Sequence, residues 1–195
     1  MFKKITPMMV AALIAVGAVA HASTWTFDKA HTNIGFKIKH LMITNVRGSF
    51  DAFSGQVKYD ENDIAKSHVE VTIESASINT ANEDRDNHLK SADFFDVENF
   101  PNLTFKSTDI KKSNDGLMIT GDLSLHGVTK AVVLNVEDMT APIKGPWGKM
   151  RMGATATAKI DRRDFGLTWS KALETGGLVV DNEVKIILEV ELIKE

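Results

Sequence analysis

Asp86, His88, Asp93 and Asp96 fall within eleven residues of the stretch "RDNHLKSADFFDVENFPNLTFKS", Arg85 to Ser107. Carboxylates and an imidazole this close together are the raw material of a metal site or a general acid/base pair. The same stretch carries Phe94, Phe95, Phe100 and Phe105, which could instead wall an apolar pocket. Spacing weighs against the first option. On a helix, Asp86 and His88 point about 200° apart, and His88 lies off the face that Asp93 and Asp96 could share. His31, His40, His68 and His126 stand singly on other segments. There is no Gly-x-Ser-x-Gly elbow, no phosphate-cradling glycine loop and no His-Glu-x-x-His. The letters Asp-Phe-Gly at Asp164–Gly166 lack the companion loops of a kinase. Without cysteine, thiol chemistry and disulfides are excluded. No catalytic residue and no metal ligand is nominated, and no cofactor is expected.

Structure accounts for most of these charges. Ala81 to about Asp93 lacks strand alternation and predicts a short helix. Glu83 and Asp84 would sit in its first turn and Lys90 near its last, each favoured by the helix dipole. Asp86 and Lys90 form an i,i+4 pair worth roughly 0.2–0.5 kcal/mol. Phe94, Phe95, Val97 and Phe100 follow as an apolar knot, and Pro101 stops any helix.

Elsewhere the dominant signal is alternation with period two. It runs through Ile34–Phe36–Ile38, Val69–Val71–Ile73, Leu123–Leu125, Val132–Leu134–Val136 and Val184–Ile186–Leu188–Val190–Leu192. Shorter pieces bring the count to about nine strands, antiparallel in character, with one apolar and one wet face. "DEND", "SNDG" and "HGVTK" supply tight turns between them. A meander joined this way can close into a barrel without edges; a two-sheet sandwich fits the alternation equally. The strand "KMRMGATATAKI" turns Met150, Met152, Ala154, Ala156, Ala158 and Ile160 to one side. Three successive inward alanines fill little volume, which favours a lumen. Arg162 to Asp181 is expected as a long connection.

Lys3 and Lys4, the apolar run after them and Ala20–Ala22 fit a secretory signal peptide cut after Ala22. Domain organisation is therefore expected as a leader, 1–22, and one domain, 23–195. Without Lys3 and Lys4 there are 21 basic and 26 acidic side chains, a net charge of −5. A mildly acidic chain with both signs interspersed argues against nucleic acid as a partner.

The opening stretch also resembles the signature of the YceI-like family of periplasmic or secreted polyisoprenoid-binding proteins. "WTFDKAHTNIGFKIKHL", "VRGSFDAFSG", "GDLSLHGVTKAVVL" and "KIDRRDFGL" are similar to that family as well, so the resemblance spans the chain after the leader. Thr32 and His126 depart from the family pattern. The resemblance implies an all-β fold with one short helix, an eight-stranded antiparallel, up-and-down, lipocalin-like barrel around an apolar pocket. It implies an isoprenoid, quinone or fatty amide as ligand, a periplasmic location with secretion as the alternative, no enzymatic role, and an association into homodimers.

The expected lining is Ile34, Phe36, Ile38, Phe50, Phe53, Val71, Ile73, Phe94, Phe95, Phe100, Phe105, Leu123, Leu125, Met150, Met152, Ala154, Ala156 and Trp169. His31, Arg85 and His88, with Trp169, are the expected rim. Transient contact with a membrane or a membrane protein is also expected. Two other readings stand beside this one: a metal-dependent or acid/base enzyme around Asp86, His88 and Asp93, and a stress-response partner of a membrane redox protein.

Overall fold

The computed structural model describes residues 22–172 and 176–195. Of the expected leader, all but Ala22 lies outside the described residues.

Among the described residues twelve strands form one closed antiparallel sheet, and eleven of them make eight staves because three staves are each broken into two strands. The first stave is β1 (Ser23–Phe27) followed by β2 (Asn33–His40), interrupted at 28–32. The second is β3 (Thr44–Phe50) with β4 (Phe53–Tyr59), and the third is β5 (His68–Glu74) with β6 (Ile78–Asn79). β7 (Asn102–Ser113), β8 (Gly116–Leu125) and β9 (Val128–Glu137) follow as a meander. After the two-residue β10 (Ile143–Lys144), which pairs outside the barrel, come β11 (Met150–Asp161) and β12 (Val180–Lys194). The barrel alternative of the sequence reading holds and the sandwich does not.

Alternation explains the wall. In β7 and β9 buried and exposed residues follow one another almost without error, apolar side chains inward and polar ones outward. β12 closes the barrel. One edge pairs with β11 from Arg151–Ile193 to Asp161–Glu183. The other edge pairs first with β1 and then with β2.

The two ends differ. One is packed solid: Trp25, 1% exposed, lies with Val57, Met152 and Leu192, and its indole N–H donates to Ser23 Oγ at 2.8 Å. The other carries helix α1 (Glu83–Lys90) and the connection after β11. The helix is capped by Asn82, whose side chain accepts from the Arg85 N–H. No helical residue is fully buried. The β2–β3 hairpin also ends here, where the Ile43 N–H bonds to the His40 carbonyl at 3.1 Å. Its central residues, Leu41 (φ 51°) and Met42 (φ 60°), adopt the mirror-image turn that Asn and Gly ordinarily occupy.

The break between β1 and β2 is held from outside. Arg151 donates to Asp28 at 2.5 Å and to Glu191, and His31 Nδ1 lies 3.0 Å from Asp28. The Arg151 guanidinium, then the His31 hydrogen bond, hold the Asp28 carboxyl down at about 2. Asp28, His31 and Glu191 could group around a cation, but Arg151 already supplies the positive charge there.

Two measurements follow. Truncating the plug, Trp25→Ala, is expected to cost about 3–5 kcal/mol in denaturant unfolding. Because the folded-state pKa of Asp28 is depressed, its charge stabilises the fold above the ordinary carboxylate value of 3.8, and that contribution is lost as pH falls towards 2. The thermal midpoint should therefore fall more steeply over this range in the parent than in Asp28→Asn. Parallel curves would show that the Arg151 contact does not stabilise.

Candidate functional site

Inside the staves lies a cavity of about 440 Å³, within the range of roughly 300–1,000 Å³ typical of small-molecule sites. Its wall is the inner face of the alternating strands. Of the expected lining, Ile34, Phe36, Ile38, Phe50, Val71, Ile73, Phe105, Leu123, Leu125, Met152, Ala154 and Ala156 all border it. So do Phe94, Phe95 and Trp169 from the helix end. The β11 alanines behave as their volume requires. Ala154 and Ala156 face the cavity, and Ala158 is buried in the surrounding core.

Three expected residues do not border it. Phe53 stands edge-on to Phe27, ring centroids 6.0 Å apart, and belongs to the packed wall behind that ring. Met150 packs against the cluster around Trp25, at the end where the lumen is filled. Phe100 is turned sideways by the loop in which its N–H bonds to the Asp96 carbonyl, and its ring rests 4.6 Å from His126. His31 is a fourth correction: it lies on the outer wall beside Asp28, because residues 28–32 bulge away from the barrel.

The helix end gathers the polar groups. Arg85 and His88 border the cavity, as expected for rim residues, together with Lys39, His40, Thr80 and Arg162. Tyr59 and Ser67 are the polar lining groups towards the plugged end. No carboxylate borders the cavity among the described residues. Lys39 and His88 are exposed as well as lining, so the cavity reaches the surface here.

Thr80 organises this rim. It receives Arg85 Nε on its hydroxyl and an Arg85 Nη on its carbonyl, both at 2.8 Å. Its own N–H and hydroxyl donate to Asp86 at 2.9 and 2.5 Å. The expected Asp86–Lys90 pair is therefore replaced, since Asp86 faces back across the helix start to Thr80. The expected separation of His88 from Asp93 also fails: Nε2 and Oδ2 lie 2.8 Å apart, because the loop after the helix folds back on it. His88 meets Trp169 edge-on at 5.3 Å and Phe94 at 5.1 Å, while Phe94 and Trp169 are 5.2 Å apart.

Sequence reasoning missed Arg162. Only 3% exposed, it donates to the carbonyls of Leu167, Trp169 and Asp181 at 2.6, 2.7 and 2.8 Å. Burial pushes its guanidinium below the ordinary arginine value. It pins both limbs of the connection after β11, and so sets Trp169 at the opening. Nothing in the sequence distinguishes it from its neighbour Arg163, which is exposed and paired with Asp161.

Comparison with known proteins agrees with this geometry. Residues 25–192 match the YceI-like domain. A UPF0312 protein of Staphylococcus aureus is 40% identical over 84% of this chain and 93% of its own length. The crystal structure of a Campylobacter jejuni YCEI protein is similar with a TM-score of 0.69 and 38% identity, covering 87% of this chain and 97% of that one. A polyisoprenoid binding domain from Saccharophagus degradans shares the fold at TM-score 0.63 and 16% identity, covering 90% of this chain and all of its own. Barrel, helix, opening and sequence together place this chain in the YceI-like family.

Proposed function

We propose that the barrel binds a single long-chain amphiphile of the polyisoprenoid, isoprenoid-quinone or fatty-amide class, and carries or stores it outside the cytoplasmic membrane. The observation that carries this reading is the cavity itself: an apolar lumen, bordered by the small side chains of Ala154 and Ala156, whose lysine, arginine and histidine side chains gather at one end. Each methylene taken from water contributes about 0.8 kcal/mol of gross transfer free energy, so one five-carbon isoprene unit contributes roughly 3–4 kcal/mol. Ordering the flexible chain offsets much of that, which leaves affinity to length and fit. The name of the Saccharophagus degradans relative supports the ligand class, and the leader-like start of the sequence supports export into a periplasm or the medium.

The head of such a ligand would lie at the helix end. Arg85, His88 and Lys39 offer donors there, and with no carboxylate in the wall an oxygen-rich head meets no repulsion. Trp169 and Phe94 would close over the first units of the chain.

The enzyme alternative is favoured by one contact, the His88–Asp93 hydrogen bond beside the cavity. Against it, Asp86 is engaged by Thr80.

Filling the lumen tests the proposal. Ala156→Phe is expected to leave the protein folded, with a thermal midpoint near that of the parent, while the lipid recovered by organic extraction and mass spectrometry drops several-fold. His88→Ala should change that yield far less. Undiminished lipid in the Ala156→Phe protein would place the ligand elsewhere. A His88-dependent chemical change in an added amphiphile would favour the enzyme.

A further inference from the structure

We infer that the β2–β3 hairpin is a membrane-docking tip, which inserts Leu41, Met42 and Ile43 among the headgroups of an anionic bilayer and sets the cavity opening against it. The inference rests on the reading of the lumen as a lipid site, since only a lipid cargo needs its opening held at a bilayer.

The tip is apolar where a turn ordinarily is not. Ile43 is 81% exposed, Met42 46% and Leu41 36%. The two central positions have positive φ, a conformation that disfavours bulky side chains and suits Asn or Gly. Two apolar residues are thus held out in water in a backbone state that does not favour them. Such local conflicts concentrate at functional sites.

The tip is joined to the opening. His40 and Lys39, directly before it, border the cavity, and the Leu41 N–H bonds to the carbonyl of Val179, itself a lining residue, at 2.8 Å.

Charge points to the partner. On the outer wall below the tip, Arg47 stands opposite Lys37, Lys37 opposite Lys185, and Lys185 opposite Lys159. Like charges directly opposite one another destabilise a sheet. Among the described residues only Lys159 of these four has an ion-pair partner, Glu183 at 2.9 Å. Lys39 adds a further cation one step nearer the tip. An apolar tip above a wall row of lysine and arginine, on a chain of net negative charge, matches the surface of a bilayer carrying acidic phospholipid.

A second exposed apolar pair, Ile143 (64%) and Trp147 (78%), provides an internal control. It lies in the hairpin before β11, at the plugged end of the barrel.

Co-sedimentation with phosphatidylethanolamine vesicles, with and without phosphatidylglycerol, tests the assignment. The purified protein should pellet with phosphatidylglycerol vesicles and be released by salt. A Met42→Asn, Ile43→Asp variant, whose asparagine suits positive φ, should bind roughly tenfold more weakly. Combined Lys37→Gln, Arg47→Gln and Lys185→Gln should remove the preference for phosphatidylglycerol, and Trp147→Ala should bind like the parent. Circular dichroism of each variant checks folding. Undiminished binding by the folded tip variant would overturn the inference, as would loss with Trp147→Ala instead. So would a tip variant that turns a dimer into a monomer in sedimentation velocity while vesicle binding stays the same; the tip would then be a self-association surface. Lipid content, scored separately by extraction, keeps the two readings apart. Docking without bound lipid would sink the carrier function alone, and bound lipid without docking would sink only the tip.

Discussion

The whole molecule depends on one continuous pairing, β11 against β12. A sheet this strongly alternating has one face that must leave water, and in many proteins a second sheet or a helix layer covers it. Here the sheet covers itself. Closure satisfies the backbone groups that an open edge would expose, and it fixes the perimeter before the interior is filled. Eight staves enclose more space than their inward side chains occupy wherever those side chains are small. The lumen is thus the remainder left by closure, bordered by the alanines of β11 and absent where Trp25 fills the section.

Legibility in the sequence followed the range of the interaction. Period-two patterns are local, so β5 and β9 could be read residue by residue, and with the other alternating strands most of the cavity wall. The helix was legible from its charges and from the lack of strand alternation. The three broken staves were not, because the breaks at 28–32, 51–52 and 75–77 depend on where the barrel must bend, not on the few residues that bend. The same holds for the corrected residues. Phe53 and Met150 are apolar and in phase with lining neighbours, and only their height along the barrel removes them from the cavity, while Phe100 is removed by the path of its loop.

Polar residues were hardest to read. His88 and Asp93 meet because a loop folds back, and Asp86 finds Thr80 rather than Lys90. Among the described residues Arg162 takes no carboxylate partner; instead it gathers main-chain carbonyls from both limbs of one connection. A buried guanidinium solvated by carbonyls leaves no charge-pair signature in a sequence, yet it decides where Trp169 stands. The row of like charges across β3, β2, β12 and β11 was equally invisible, because the four residues are distant in the chain and become neighbours only through register.

The position of β12 also bears on how the chain reaches this state. Its fifteen residues follow every other described strand in the sequence, and they pair with β1 and β2, the first described strands, as well as with β11. Until they arrive, three strand edges stay open and the apolar face has no lid. Folding is therefore dominated by contacts between the two ends of the chain, which are slow to form. A polypeptide emerging N-terminus first stays unclosed until β12 has followed all the other described strands. Until the β11–β12 seam is made, the open edges and the uncovered apolar face are exposed to other copies of the chain.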